Sequence, residues 1–133
     1  GGGGIIPDIF VPIDTTRATN FYINCNKKAV QMRFASTMFD KYRSNLISLD
    51  DFAALERWMD SIDMESQFLD YASRTEKLTP GPGEWAETRP YMIPQLKALV
   101  GRYSKLDDEA FYRFYLPIDE TIQEALRSSS VVE

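Results

Sequence analysis

The chain has 133 residues, of which 44% are hydrophobic and 26% charged, a composition typical of one soluble folded domain with its own core. Its formal net charge is −5, with basic residues scattered among carboxylates, which argues against a nucleic-acid partner because binding phosphates requires clustered Lys and Arg. No window approaches the ~18 uninterrupted apolar residues of a membrane span. One cysteine and no histidine exclude, within this chain, a disulfide, a Ser-His-Asp triad, a Cys-His pair and a zinc site with His or several Cys ligands.

Residues 1–16 are predicted to be a glycine-rich extended linker or edge segment. Four leading glycines have no side chain to bury and lose the most backbone entropy on ordering, so they suit the interior of a longer protein better than its start. We therefore expect that the chain is a fragment. The apolar run Ile9–Val11 lies between Pro7 and Pro12, which is typical of a short edge strand or a tether.

Residues 17–127 are predicted to form an all-α domain, an irregular array of about six or seven helices. Thr15 or Thr16 is placed to cap a first helix from about residue 17 to Cys25. From about Lys27 onward, apolar residues recur every four positions, which predicts an amphipathic helix. This stripe consists of Val30, Phe34, Met38 and Tyr42, with Ala35 and Phe39 beside it.

Two more helices are predicted before a loop. Ser48, followed by Leu and two acids, predicts a helix start, and Asp60 or Ser61 begins another start signal for a helix that ends near Glu76. Two prolines and two glycines predict a loop at 79–83. The expected buried faces are Phe52, Leu55 and Met59 in the first helix, and Phe68, Leu69 and Ala72 in the second.

Two prolines complicate the pattern after the loop. An interior proline removes a backbone hydrogen bond at a cost of about 3 kcal/mol. We therefore predict a short turn at 84–87 and a main helix from about Arg89 that is kinked or frayed at Pro94, with Pro90 in its first turn. Gly101 falls in the last turns, where alanine is favoured by about 1 kcal/mol. The expected apolar face is Leu96, Leu99, Val100 and Tyr103.

The C-terminal part of the domain is predicted to contain two short helices. Asp107 is placed to cap the first and Asp119 the second. Residues 128–133 are predicted to be a polar tail that frays. The apolar faces are Phe111, Phe114 and Tyr115 in the first helix, and Ile122, Ala125 and Leu126 in the second.

No catalytic, cofactor-binding or metal-binding residues are predicted. Two pairs of adjacent acids precede helices, where capping and the helix dipole explain them. Ser73 and Lys77 lie four apart on a helix, but a Ser-Lys nucleophile needs a buried, neutral lysine, and Lys77 adjoins a loop, so we expect a surface pair. The acid pairs are Asp50 with Asp51 and Asp107 with Asp108.

Cys25 and an aromatic cluster in 111–115 have structural explanations. We expect Cys25 to be a small buried hydrophobic side chain rather than a reactive thiol. The cluster Phe111, Tyr112, Phe114 and Tyr115 is expected to pack in the core; the alternative is an interface with another domain.

Two parts of the chain together resemble one protease family. Residues 2–12, GGGIIPDIFVP, resemble the G-G-I-x-P-D-x-x-V stretch that follows the catalytic lysine in C-terminal processing peptidases, also called tail-specific proteases. Later segments are similar in order and spacing to the helical tail of cell-envelope members of that family. These segments are 21–22, 38–41, 95–103, 111–113 and 119–126.

The resemblance implies a parent enzyme that cleaves polypeptides near their C-termini with a serine nucleophile and a lysine base. In that family the serine, the lysine, the oxyanion donors and the PDZ domain precede the glycine-rich segment, so none has a counterpart here. The chain is then expected to be a non-catalytic C-terminal helical domain that packs on, or regulates, the protease core of its own parent. A cell-envelope location, polypeptide substrates of the parent and a possible homodimer follow from the same resemblance.

Two other interpretations stay open. One is a free-standing helical protein-interaction module without a protease parent, with the aromatic cluster near Phe111 as its binding surface. The other, less favoured, is a small independent enzyme. Neither interpretation calls for a cofactor.

Overall fold

The computed structural model describes residues 18–117, which form seven helices and, within that range, no strand. The all-α prediction is thereby confirmed. The predicted linker, the helix capped by Asp119 and the polar tail lie outside the described residues. The helices are α1 (Asn20–Lys27), α2 (Val30–Lys41), α3 (Arg43–Ser48), α4 (Phe52–Ser61), α5 (Met64–Glu76), α6 (Glu84–Gly101) and α7, described over 108–117.

α1 begins later in the chain than predicted. Its N-cap is Thr19, whose hydroxyl accepts a hydrogen bond from the Tyr22 amide at 3.2 Å. The expected start near residue 17, with a cap at Thr15 or Thr16, is therefore wrong. α1 also continues past Cys25 to Lys27, and the chain then turns through Ala29, which has a left-handed backbone with φ 53°. Tertiary contacts of Thr19 with α6, described below, favour this residue as the cap.

The amphipathic helix predicted from the spacing of four is confirmed as α2. Its buried residues include Val30, Phe34, Ala35 and Met38, and its most extensive contact is with α6. Since these side chains project from one face of the helix, they form a continuous apolar surface that packs into the core.

The boundaries around α3 and α4 differ from the prediction. Ser48 ends α3 rather than capping α4, and the cap is Asp51, whose carboxylate accepts from the Ala54 amide at 2.8 Å. The short α3 was not predicted; it carries Leu46, which is fully buried, into the core. Burial of one leucine therefore decides the conformation of a segment whose polar residues favour a turn.

α5 begins at Met64 and is capped by Asp63, not by Asp60 or Ser61. Asp63 has a left-handed backbone with φ 53°, and its carboxylate accepts from the Ser66 amide. The predicted end at Glu76 and the loop at 79–83 are confirmed.

α6 is one continuous helix from Glu84 to Gly101, with Pro90 and Pro94 inside it. The expected separate turn at 84–87 is therefore wrong. The carbonyl groups that lose a partner belong to Ala86 and Pro90, and both residues are exposed, so water can donate to them. Its apolar face is confirmed for Leu96, Leu99 and Val100, whereas Tyr103 lies beyond the helix end and is partly exposed.

The core is continuous across all the described helices and is rich in aromatic and methionine side chains. Phe68 of α5 is fully buried and contacts Phe21 of α1, Phe34 of α2 and Trp85 of α6 with ring-centroid distances of 6.3, 5.3 and 6.4 Å. These ring contacts join four helices at a single side chain.

Candidate functional site

The first described residues are attached to the N-terminal half of α6 by a group of hydrogen bonds, which we call the α1–α6 anchor (Thr19, Glu84, Thr88 and Tyr91). The Thr19 amide donates to the Tyr91 hydroxyl at 3.1 Å, and the Thr19 and Thr88 hydroxyls lie 2.7 Å apart. Thr88 is fully buried. The anchor therefore holds the N-terminal end of α1 against α6.

The direction of the hydroxyl hydrogen bonds in the anchor follows from counting protons. The Thr88 hydroxyl donates to the Glu84 carbonyl at 2.7 Å, as helical threonines often do, and so has no proton left for Thr19. Thr19 must then donate to Thr88 while accepting from the Tyr22 amide. The hydroxyl protons of Thr19 and Thr88 then each have one acceptor, which is why the Thr88 hydroxyl tolerates full burial.

The Glu84 carboxylate joins the N-termini of α1 and α6. One oxygen accepts from the Phe21 amide at 2.7 Å, and the other from the Gly81 amide at 2.8 Å. The Phe21 amide is one of the first N–H groups of α1, which lack partners within the helix, and a negative charge is favoured at that end of the helix dipole. One side chain thus satisfies donors from two separate segments.

A second row of hydrogen bonds between largely buried side chains lies beside the anchor. The Gln95 amide donates to the Tyr22 hydroxyl at 3.0 Å, and the Gln31 amide donates to Gln95 at 3.3 Å and to Asn26 at 2.8 Å. Burial raises the pKa of Tyr22, partly offset by the hydrogen bond from Gln95. The Tyr22 and Tyr91 rings meet edge to face with centroids 4.9 Å apart. These contacts fix α1 against both α2 and α6.

Sequence reasoning did not identify the anchor residues. A signal was present: Thr88 and Tyr91 are three apart, hence on one face of α6, and they carry hydroxyl groups on a mainly apolar helix surface. Their partner Thr19 is 69 residues from Thr88 in the chain, a separation that no local pattern can bridge.

Cys25 lies where it was expected, fully buried in the core. Burial raises the pKa of its thiol to about 12, and the nearby negative charge of Glu84 acts in the same direction. Since the thiolate is the reactive form, Cys25 is not a nucleophile in the folded domain.

The paired acids and the Ser-Lys pair lie on the surface. Asp51 caps α4, as adjacent acids at a helix start suggest, while Asp50 accepts from the Lys105 ammonium at 2.6 Å. Ser73 and Lys77 are both exposed, and Lys77 is the C-cap of α5, with φ 58°. Since both side chains are exposed, the expected surface pair is confirmed.

The aromatic cluster of α7 packs mainly into the core. Phe111, Phe114 and Tyr115 are buried, whereas Tyr112 is 40% exposed. The helix begins directly after Asp107, as predicted. The expectation of core packing is thus confirmed for three of the four rings.

The described part of the chain contains neither a metal-ligand cluster nor a membrane-spanning helix. Among residues 18–117, no three His, Cys, Asp or Glu side chains are grouped so that they could hold a metal ion. None of the helices in that range has the length and apolarity to cross a bilayer. Comparison with known proteins finds no match to a protein-family model, a characterised protein or a solved structure.

Proposed function

We propose that this chain is a non-catalytic helical domain of a serine-type C-terminal processing peptidase, and that it packs on or regulates the protease core of its parent. The proposal includes a cell-envelope location and, as partners, that core, the parent's polypeptide substrates and a second copy of the chain. Its support in the sequence is the glycine-rich segment 2–12 together with the order of the helical segments that follow it.

The observation that carries the proposal is the α1–α6 anchor. A domain that must keep a defined position relative to a preceding core needs the residues on the side of that core fixed to its own body. Here Thr19 makes hydrogen bonds to Thr88 and Tyr91, and the Phe21 amide is held by Glu84. Such an attachment couples the N-terminal end of α1 to the long helix α6.

The test uses the parent protein together with the 133-residue chain. We expect the parent to cleave peptides and the chain alone to be inactive. In the parent, the double variant Thr88→Val and Tyr91→Phe removes two of the anchor's three hydroxyls while keeping its volume, and it should alter kcat/KM for peptide cleavage. The matched control is Thr75→Val with Tyr112→Phe, which removes two exposed hydroxyls and should leave kcat/KM unchanged.

Two results would overturn the proposal. One is a coding sequence upstream of residue 1 that lacks a protease with a Ser-Lys pair. The other is peptide turnover by the isolated chain that a substitution within it abolishes.

The second candidate is a free-standing protein-interaction module. The burial of Phe111, Phe114 and Tyr115 removes most of the surface on which that interpretation first rested. A different surface favours it, since Met32 and Tyr103 are 42% and 40% exposed and flank one pocket. A start codon close to residue 1 would support the module over the protease domain.

A further inference from the structure

A small, mainly apolar groove lies on the surface between α2 and the end of α6. Its volume is about 140 Å³, close to that of an apolar cavity that holds one benzene ring (~150 Å³), so it has room for one aromatic side chain. Met32 of α2 and Tyr103, just beyond α6, are 42% and 40% exposed. Since exposed apolar surface is unfavourable in water, the groove favours an apolar occupant. The lining consists of Met32, Ala35, Leu99, Arg102 and Tyr103.

The α1–α6 anchor holds Thr19 on the same side of α6 as this groove. Thr88, Leu99 and Arg102 follow one another at helical spacing and so share a face, and Thr88 and Arg102 are about 21 Å apart along the axis. An extended chain advances about 3.3 Å per residue, so Phe10, nine residues before Thr19, can lie up to about 30 Å from it. The segment that contains Phe10 is therefore long enough to reach the groove.

The apolar run Ile9–Val11 has a sequence that fits the groove. It lies between two prolines, and both a proline and the residue before it favour an extended backbone. In an extended chain alternate side chains point to one side, so Phe10 shares a side with Asp8, about 7 Å away. The run therefore presents one aromatic ring of the size that the groove admits, together with a carboxylate.

Arg102 supplies a positive charge for that carboxylate. Its ion pair with Asp108 is 3.9 Å long, beyond hydrogen-bond range, and its side chain is 27% exposed. A long pair of this kind attracts the guanidinium without occupying its hydrogen bonds. A second carboxylate can therefore approach the exposed part of the same group.

We propose that this groove is covered by the chain's own residues 8–11, with the Phe10 ring inside it and the Asp8 carboxylate beside Arg102. An intramolecular occupant is favoured because a short connection to Thr19 gives the ring an effective concentration on the order of 1 mM, which a free ligand would have to supply itself. A partner that binds the exposed surface of Met32 and Tyr103 must first displace the segment. The segment thus controls access to the groove. This contact needs no protease core, so it is true or false independently of the proposed function.

The test follows the ε-methyl resonance of Met32 in a carbon–proton correlation NMR spectrum of the whole chain. An aromatic ring in the groove shifts this methyl by its ring current. Phe10→Ala should therefore move the Met32 resonance and leave that of Met64, which does not line the groove, in place. The matched control is Ile9→Ala, whose side chain alternates to the opposite side, and it should leave the Met32 resonance where it is.

A titration measures how much of the groove the segment occupies. The ligand is a synthetic peptide of residues 6–12 with both ends blocked, added to wild type and to Phe10→Ala. Because the docked segment must leave first, the dissociation constant for wild type should exceed that for the variant by more than about twofold, the ratio at which half of the grooves are occupied. Asp8→Asn should lower the docking constant, which is this ratio minus one, by about twofold to fivefold, as for an exposed ion pair.

Several outcomes would overturn the proposal. These are a Met32 resonance that Phe10→Ala leaves in place, one that Ile9→Ala moves as far as Phe10→Ala does, and equal dissociation constants of the peptide for wild type and Phe10→Ala. An effect of Phe10→Ala that disappears on dilution would assign the groove to a second copy. A docking constant unchanged in Asp8→Asn would overturn the placement of Asp8 beside Arg102. All these substitutions lie outside residues 18–117, so each variant keeps the described helices intact.

Discussion

Two glutamates show how single carboxylates hold this domain together at the residue scale. Glu84 accepts from two backbone amides at the starts of α1 and α6. Glu65 of α5 accepts from the Trp85 indole and from two nitrogens of Arg89, both on α6. A carboxylate has about four acceptor positions and no donor, so one side chain can join several N–H groups that would otherwise lack partners.

The Glu65 contacts predict a defined acid dependence of stability. Hydrogen bonds from Arg89 and Trp85 hold the pKa of Glu65 below its ordinary value of 4.5. A carboxyl whose pKa is lowered by folding stabilises the native state above the unfolded pKa, and the contribution disappears as pH falls through the folded pKa. Glu65→Gln should therefore lower the free energy of unfolding at pH 7 by about 0.5–1 kcal/mol, because a partly exposed ion pair such as Glu65–Arg89 contributes no more than about this amount.

Urea unfolding between pH 7 and pH 3 checks this prediction. The difference in the free energy of unfolding between wild type and Glu65→Gln should stay constant down to about pH 5 and become smaller below about pH 4.5. Asp70→Asn, which breaks an exposed pair with Arg74 inside α5, is the control and should change stability by less than about 0.5 kcal/mol. A gap that widens on acidification would contradict the assignment.

Gly101 illustrates a residue whose local preference is overruled by a neighbour. A Cβ added there would lie 3.1 Å from the Ala110 Cβ and 3.5 Å from the Phe114 ring, so α7 would have to move. Overpacking costs about 1–3 kcal/mol, whereas the gain in helix propensity is at most about 1 kcal/mol. We expect Gly101→Ala to destabilise the domain by about 1 kcal/mol, against the sequence-based expectation that alanine is favoured.

A double-mutant cycle with Ala110→Gly tests the cause in urea unfolding. The second change removes the atom in closest contact, so the two substitutions together should be less destabilising than the sum of the single effects. If the two effects on the free energy of unfolding simply add, the contact with Ala110 is not the cause of the destabilisation by Gly101→Ala.

At the scale of elements, α6 shows that interior prolines need not end a helix. Pro90 and Pro94 are spaced by four, and the carbonyl groups left without a donor belong to the exposed residues Ala86 and Pro90. Because these positions face water, solvent replaces part of each lost hydrogen bond. The buried face of the same helix, including Met92, Leu96 and Val100, keeps α6 in place. Burial therefore outweighs the local preference for a break.

Replacing Pro90 by alanine should stabilise the domain. Proline is about 3 kcal/mol less favourable than alanine in a helix interior. The alanine variant has a more flexible unfolded chain, and the larger entropy of that state reduces the gain by about 0.4–1 kcal/mol. Since Pro90 is exposed and its loss leaves no cavity, we expect a gain of about 1–3 kcal/mol in the free energy of unfolding. Pro82→Ala in the exposed loop is the control and should give no gain, because it removes rigidity without adding a helical hydrogen bond.

At the scale of the whole molecule, the core gives the described helices a single cooperative centre. Phe68 contacts aromatic rings from α1, α2 and α6, and the hydrophobic cluster extends without interruption into α7. A core that connects every described helix predicts one unfolding transition rather than separate local ones.

Phe68→Ala tests this cooperativity. Deleting a fully buried phenylalanine costs about 3–5 kcal/mol, a large part of the about 5–15 kcal/mol that stabilises a typical domain. Circular dichroism and tryptophan fluorescence should report the same lowered midpoint in urea. Leu69→Ala, at the half-buried neighbouring position, should lower the free energy of unfolding by clearly less. Different midpoints by the two probes would show that the helices unfold in independent groups.

Local signals in the sequence were sufficient to predict the all-α class, the buried stripe of α2, the end of α5, the loop at 79–83 and the burial of Cys25. Each depends on side-chain periodicity or on turn residues, which act over a few positions. The tertiary structure alone decided the α1 cap at Thr19, the short α3, the continuity of α6 and the α1–α6 anchor. These features depend on partners far apart in the chain, such as Thr19 with Thr88, whose burial and hydrogen bonding outweigh local propensity once the core has formed.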